Sequence, residues 1–291
     1  MIMTMLKKVS MYAAMLSATC FHLPSAIAQK KSFTIYEYIP YRAHVVAGET
    51  SQIPAFREYL ESVGIHPIDV VYDNRYLTDG KPDEKKIEAV AKQALATHTP
   101  VSFDTEFGNR FKPETVIPQV TEILNIYHRY NTAEPVGVYA TAPQNTYAWK
   151  PDIDRFDTIN DQYQPVAQLV DFLSPVLYNY EGPDTEAWKR AAIYNVAAAK
   201  KYKTGKRILP YMTVTIRLDG SGKDDATHHG NIRTVTEAEM LTRLQTLYDL
   251  GADGCILWAS SGDRTEDGKL PIFDRNSGWG KALADFADAH H

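Results

Sequence analysis

From Phe33 onward, stretches of two different hydrophobic periods follow one another in regular turn, with little chain between them. Strand-like stretches, aromatic and β-branched, fall at 33–41, 70–76, 100–106, 136–141, 172–180, 207–218 and 253–260. A helical pattern follows each. Ile53, Phe56, Leu60 and Val63 recur at helical spacing after the first, and Ile87, Val90, Ala91, Ala94 and Leu95 share one face of 83–98 after the second. Helices are then predicted at 116–130, more weakly at 156–170, at the Ala-rich 185–202, at 236–250 with Gly251 as C-cap, and at 280–290. Parallel strands each need a crossover, so seven βα units imply a parallel sheet covered by helices. Such a sheet is either closed into a barrel or open and doubly wound. No Gly-rich phosphate loop follows the first strand, as an open nucleotide-binding sheet would usually have. The expected fold is therefore α/β, a TIM-like (β/α) barrel, distorted and seven-stranded, with one domain over 29–291.

Residues 1–28 read as a signal peptide. Lys7 and Lys8 make a basic n-region, 9–23 is apolar, and Ala26-Ile27-Ala28 supplies the small-x-small cleavage site. The apolar run is too short and interrupted to span a bilayer, and Ser17-Ala18-Thr19 before Cys20 matches a lipobox poorly. Export to the periplasm or beyond is expected, with the cut after Ala28. Cleavage leaves 29 basic against 36 acidic residues, a net charge of -7, and only Cys255 of the two cysteines. Without an internal disulfide, stability must come from the core, which 44% apolar residues can supply. The acidic balance, with no gathered Lys/Arg face, argues against a nucleic-acid binder. No later stretch is long and apolar enough for a membrane span.

In βα barrels, function gathers at the C-terminal ends of the strands. The third strand ends in Val101-Ser102-Phe103-Asp104-Thr105-Glu106. Residues i and i+2 of a strand share a face, so Asp104 and Glu106 project together, Glu106 nearer the rim. Crowding raises the proton affinity of one of two carboxylates, which suits a general acid. A plainer alternative makes Glu106 a rim charge paired with Arg110 and Asp104 a cap for the next helix. The other strand ends carry Tyr139 with Asn145, Tyr147 and Trp149; Tyr178, Asn179, Tyr180 and Glu181; Tyr211, Thr213, Thr215 and Arg217; and Trp258. Aromatic faces stack on the C–H surfaces of sugar rings while polar tips bond hydroxyls, so this rim points to a polysaccharide or oligosaccharide substrate.

Several of these segments resemble the hyaluronidases, glycoside hydrolase family 56. Phe103-Asp104-Thr105-Glu106 looks like that family's F-D-x-E strand, and Gly137-Val138-Tyr139 through Asn145-Thr146-Tyr147 is similar to its Gly-Phe-Tyr strand and following loop. Ser174-Pro175-Val176-Leu177-Tyr178 resembles its Tyr-Pro-Ser-Ile-Tyr segment. Gly251-Ala252-Asp253-Gly254-Cys255-Ile256-Leu257-Trp258-Ala259-Ser260, the most specific match, is close to its Gly-Ala-Asp-Gly-Val-Val-Leu-Trp-Gly-Ser strand. The matches fall in chain order, and the family's fold is a distorted seven-stranded barrel.

The resemblance implies retaining hydrolysis without a protein nucleophile, an exception to the two-carboxylate scheme. It implies Glu106 as the acid and later the base, Asp104 as the group that orients the acetamido, and Tyr178 as its hydrogen-bonding partner. Trp258 would wall the sugar pocket and Tyr139 would line the same subsite, with no metal and no cofactor. Thr105 and Phe107 stand where the family has Trp and a second acid, and Gly108-Asn109-Arg110-Phe111-Lys112-Pro113 replaces its Trp-Arg-Pro. Hyaluronan itself is not carried over as the substrate, and a charge of -7 suits a polyanion poorly unless Arg110, Lys112 and Arg217 gather in the groove.

Other enzyme and binding readings stay open at this level. A protein nucleophile, Glu181 or Asp73, would act on peptidoglycan or an exopolysaccharide, and a catalytically inactive barrel would only bind glycan. Thr227-His228-His229 with Asp219, Asp224 and Asp225 has neither zinc nor EF-hand spacing and reads as a solvated, lid-like loop. Cys255 reads as a buried, inert thiol. No G-x-S-x-G elbow is present.

Overall fold

The computed structural model describes residues 31–46, 49–50, 52–149, 153–218 and 232–290. The expected signal peptide and the 219–229 histidine loop lie outside the described residues. Barrel strands are β1 (Thr34–Tyr38), β2 in two segments (Ile65–Pro67 and Asp69–Val71), β3 (Val101–Phe103), β4 (Val136–Val138), β5 (Phe172–Leu173), β6 in two segments (Arg207–Ile208 and Tyr211–Met212) and β7 (Gly254–Trp258). Helices follow them in turn: α1 (Ile53–Ser62), α2 (Glu84–Thr97), α3 (Ile117–Tyr130), α4 and α5 (Asp154–Gln162 and Gln164–Leu169), α6 (Thr185–Lys201), α7 (Glu237–Asp249) and α8 (Gly278–His290).

The strands pair in parallel around a ring. β1 lies between β7 (Thr34 opposite Gly254, Tyr38 opposite Trp258) and β2 (Ile35 opposite Ile65). β2 pairs β3, and β3 pairs β4 with Phe103 opposite Val138. β5 pairs β6, and β6 pairs β7 with Tyr211 opposite Ile256. The weakest seam is β4 to β5. There the Asp171 N–H donates to Val136 O at 2.7 Å and Ser174 Oγ donates to Val138 O at 2.8 Å, and no ladder forms. The barrel is thus seven-stranded and distorted at that seam.

Alternation along each strand splits the core in two. Ile35, Val101, Phe103, Val136, Val138, Cys255 and Leu257 point outward beneath the helices. Tyr36, Ile68, Val70, Tyr139, Phe172, Val176, Tyr178, Leu209, Tyr211 and Ile256 fill the barrel, with Tyr38, Tyr72, Tyr180 and Trp258 packed on them. Helix ends obey their sequence signals. Asp83 caps α2 by accepting from the Lys85 and Lys86 N–H groups, and Thr236 with Glu239 forms a capping box on α7. Gly251, at φ +81°, takes the left-handed position after α7. Its N–H meets Tyr248 O and that of Ala252 meets Leu247 O, a Schellman ending.

Four expected elements differ. The strand expected at 70–76 begins at Ile65 and ends at Val71, and Asp73–Arg75 is a 3₁₀ turn. The single helix expected at 156–170 breaks at Tyr163, where Pro165 falls in the first turn of the second piece. The ladder expected over 172–180 stops at Leu173, because Pro175 has no N–H to give; pairing resumes as one bridge, Val176 to Tyr211. The strand expected over 207–218 is interrupted at Pro210, and Thr215–Arg217 leaves the barrel to pair antiparallel with Ile232–Thr234.

Candidate active site

β3 delivers the carboxylates. Beyond Phe103 the chain stays pinned: the Asp104 N–H donates to Val71 O at 2.9 Å, and the Tyr76 hydroxyl donates to Asp104 O at 2.6 Å. Thr105 is fully buried, its hydroxyl 2.9 Å from that of Thr141. Just past the last strand residue, Phe103, Asp104 acts on the buried phenol of Tyr211 and Glu106 on that of Tyr139. Both act on Tyr76, whose phenol is pushed up first by burial and then by the charges of Asp104, Asp73 and Glu106. Asp104 caps no helix: α3 starts well downstream and has no side-chain cap.

Glu106 keeps 63% of its side chain exposed, and its Oε1 lies 4.0 Å from Arg110 Nη2. Arg110 is itself only 13% exposed. It donates from Nη1 to Ala140 O at 2.9 Å and lies 5.7 Å over the Tyr139 ring. A rim pair of this kind contributes at most about 1 kcal/mol. Glu106 is thus held near a cation while remaining open to a substrate.

Across the mouth stand the aromatic side chains. Tyr139 and Tyr178 are buried with ring centroids 6.0 Å apart, and Tyr211, fully buried beneath them, meets Tyr139 edge-on at 5.1 Å. Burial pushes all three phenols up, and the neighbouring phenols push Tyr178 up further, so they stay protonated. Tyr178 stacks on Trp258 at 5.5 Å and 24°. Tyr180 lies 5.8 Å from Tyr178 and accepts from Asn145 Nδ2 at 3.0 Å. Tyr147, 47% exposed, continues the row 5.7 Å from Tyr180. The structure therefore gathers Tyr139, Tyr147, Tyr178, Tyr180, Tyr211 and Trp258 in one connected aromatic set.

Sequence reasoning missed Tyr38 and Tyr72. The Trp258 indole N–H donates to the Tyr72 hydroxyl at 3.0 Å, and Tyr72 lies 6.2 Å from Tyr38. Together with Arg57, Trp258 and Ser260 they line a cavity of about 410 Å³. The available signal was position: Tyr72 directly follows the true end of β2, and Tyr38 shares a face with Tyr36. Among the other acids, Glu181 accepts from the Trp149 N–H at 2.9 Å and burial raises its proton affinity. Asp73 is exposed and bonds the Asn74 N–H at 2.7 Å. Cys255 is buried and its thiol is pushed up by that burial. Among the described residues, no three His, Cys, Asp or Glu are placed to share a metal ion, and no helix is long and apolar enough to cross a membrane.

No family model and no curated protein matches the chain. Solved structures do. Bee venom hyaluronidase in complex with a hyaluronic acid tetramer aligns with a TM-score of 0.59 at 16% identity, over 88% of this chain and 100% of that one. A monoclinic crystal structure of bee venom hyaluronidase aligns at 0.51 and 17% identity, over 81% and 94%. At these identities the likeness establishes the fold, a distorted (β/α) barrel.

Proposed function

We propose that this protein is an exported glycoside hydrolase that cleaves a glycan containing N-acetylhexosamine, in the manner of an endo-hexosaminidase, with retention of configuration. The observation that carries this reading is that Asp104 and Glu106, just past the end of β3, both act on Tyr76 and reach the buried phenols of Tyr211 and Tyr139, which pack with the Tyr178–Trp258 stack. The solved neighbour of this fold that holds a hyaluronic acid tetramer lends support to a glycan ligand.

In the proposed reaction Glu106 gives its proton to the glycosidic oxygen as the bond to the anomeric carbon breaks. The substrate's acetamido oxygen attacks that carbon and forms an oxazolinium ion. Asp104 orients the acetamido N–H and balances the positive charge that develops, while the Tyr178 hydroxyl donates to the acetamide. Trp258 and Tyr139 hold the ring. Glu106, now a carboxylate, takes a proton from water, which opens the oxazolinium from the first face and restores the starting configuration. Glu181 does not enter the scheme, since it is tied to Trp149 and burial disfavours its ionised form. Thr105 and Phe107 take no part in the scheme: Thr105 is bonded to Thr141 within the core and Phe107 packs against it.

Reducing-end release from hyaluronan, chondroitin, chitin oligomers and peptidoglycan, with wild type and Glu106→Gln in parallel, tests the proposal. Release that falls at least about 10³-fold in the variant is expected. Silence on all four substrates with glycan binding intact in both proteins would sink the hydrolase reading and leave a binding barrel.

A further inference from the structure

Behind the loop that carries Tyr178 and Tyr180 lies an arginine, Arg243 of α7, the only fully buried one among the described residues. Its Nε donates to Asn179 Oδ1 at 3.0 Å, its Nη1 donates to Glu239 O at 3.2 Å, and its guanidinium sits 5.3 Å over the Trp188 ring. Asn179 uses both ends of its amide. The Nδ2 donates to Thr213 O at 3.1 Å and Thr215 O at 2.8 Å, where β6 departs for the hairpin. Trp188 completes the support by donating its indole N–H to Leu177 O at 3.0 Å.

The amide of Asn179 has two faces that differ only in which end donates. With its oxygen toward a cation and its nitrogen toward two carbonyls, one orientation pairs both ends of the amide. The flipped one would set N–H against guanidinium and oxygen against oxygen. Arg243 thus anchors the oxygen end of the residue between two tyrosines of the mouth, as the two carbonyls anchor its nitrogen end. A buried guanidinium is expensive to desolvate, and an apolar side chain of similar volume commonly serves stability as well. What an apolar residue could not do is pair the buried oxygen of that amide and so hold the residue at both ends.

We propose that Arg243 is a positioning residue for the reaction described above, on which this inference rests: through Asn179 it sets the direction in which Tyr178 and Tyr180 enter the mouth, without touching the sugar. A double-mutant cycle with chitin hexamer and hyaluronan hexamer as substrates tests it. Arg243→Met is expected to lower kcat about 10- to 100-fold with KM changed less than about threefold, and to cost less than about threefold when Tyr178 is already Phe. Equal losses in both backgrounds would overturn the proposal. Arg243→Lys keeps the charge but not the planar fork, so it is expected to behave as Met does, and it carries the same cycle if Arg243→Met does not fold. If the wild type is inactive on both hexamers, near-ultraviolet circular dichroism tests the geometry instead. The Arg243 variants should then alter the signal of Trp258, on which Tyr178 stacks, and the alteration should vanish in Trp258→Phe. A difference that persists in Trp258→Phe comes from Trp188 packing alone and would overturn the geometric claim.

Discussion

Glu37 sits with Ile35 and Ile39 on the outward face of β1, 1% exposed, with Arg57 Nε 3.6 Å from its Oε1 and the Ile39 N–H donating to its Oε2 at 3.1 Å. Burial raises its proton affinity more than the Ile39 bond and Arg57 lower it, and Glu61 adds to the rise. The folded chain therefore holds this proton to higher pH than the unfolded chain does. Glu37's contribution to stability is greatest below the unfolded carboxyl's pKa of about 4.3 and is lost as pH rises through the folded value. At neutral pH its ionised form is a liability. Glu37→Gln keeps the acceptor for Ile39 and is expected to raise the thermal midpoint at pH 7.5 by about 2–4 °C, a gain that narrows toward pH 4. Calorimetry at the two pH values checks this. At the site itself, Tyr178→Phe keeps the ring on Trp258 and removes only the hydroxyl. Loss of about 10- to 100-fold in kcat on the substrate identified by the glycan panel is expected, with a thermal midpoint lowered by only about 2–4 °C, because the variant loses both the bond to the sugar and the Tyr178–Tyr139 hydroxyl bond. Steady-state kinetics beside a melting curve separates the two effects. Asp104 and Glu106, just past the end of β3, and Tyr178, just past the Val176 bridge, stand out as candidates in the sequence because they lie in recognisable runs. Tyr72 does not, because His66, Pro67 and Asp69 break the alternation of β2 and shift its apparent end past Tyr72.

Two glycines set how closely the strands approach, and they differ in what surrounds them. A Cβ on Gly254 would stand 2.0 Å from Thr34 O, a backbone atom fixed by the β1–β7 ladder. A Cβ on Gly137 would stand 2.3 Å from the Phe172 ring, a side chain at the loosest seam of the barrel. Both substitutions to Ala overpack, at a cost of about 1–3 kcal/mol or more, and Gly254→Ala is expected to be the worse because a ring can turn aside and a ladder carbonyl cannot. Urea unfolding of the two variants, compared at constant m-value, ranks them; a reversed order would show that the β4–β5 seam is the stiffer one. The same contrast explains which elements sequence could reveal. Helices with caps and clear periodicity, α2 and α7 above all, start and end within a residue of expectation. Two of the three misjudged strands are those that Pro175 and Pro210 interrupt, since proline removes a ladder donor without disturbing the aromatic and β-branched composition by which a strand is recognised.

At the scale of the whole molecule, the seven-unit order was legible because every βα unit repeats the same change of period, and with β7 and β2 both paired to β1 the ring closes where β5 bonds β4. Net charge bears on substrate in a way that no single site residue does. If the leader is removed after Ala28, the mature protein begins at Gln29, and Edman sequencing of the exported chain checks that cut. That chain carries -7. A long polyanion must lie along the surface beyond the few arginines near the mouth, so its approach is opposed by the field of the rest of the protein, whereas a neutral chitin oligomer meets no such field. Screening falls from a reach of about 30 Å at 0.01 M ionic strength to about 8 Å at 0.15 M. Over that range the KM for hyaluronan is expected to fall several-fold, while that for chitin hexamer stays within about twofold. A hyaluronan KM that rises with salt instead would mean that Arg57, Arg110 and their neighbours dominate the potential at the groove, and that an acidic glycan is the substrate the mouth is charged to receive.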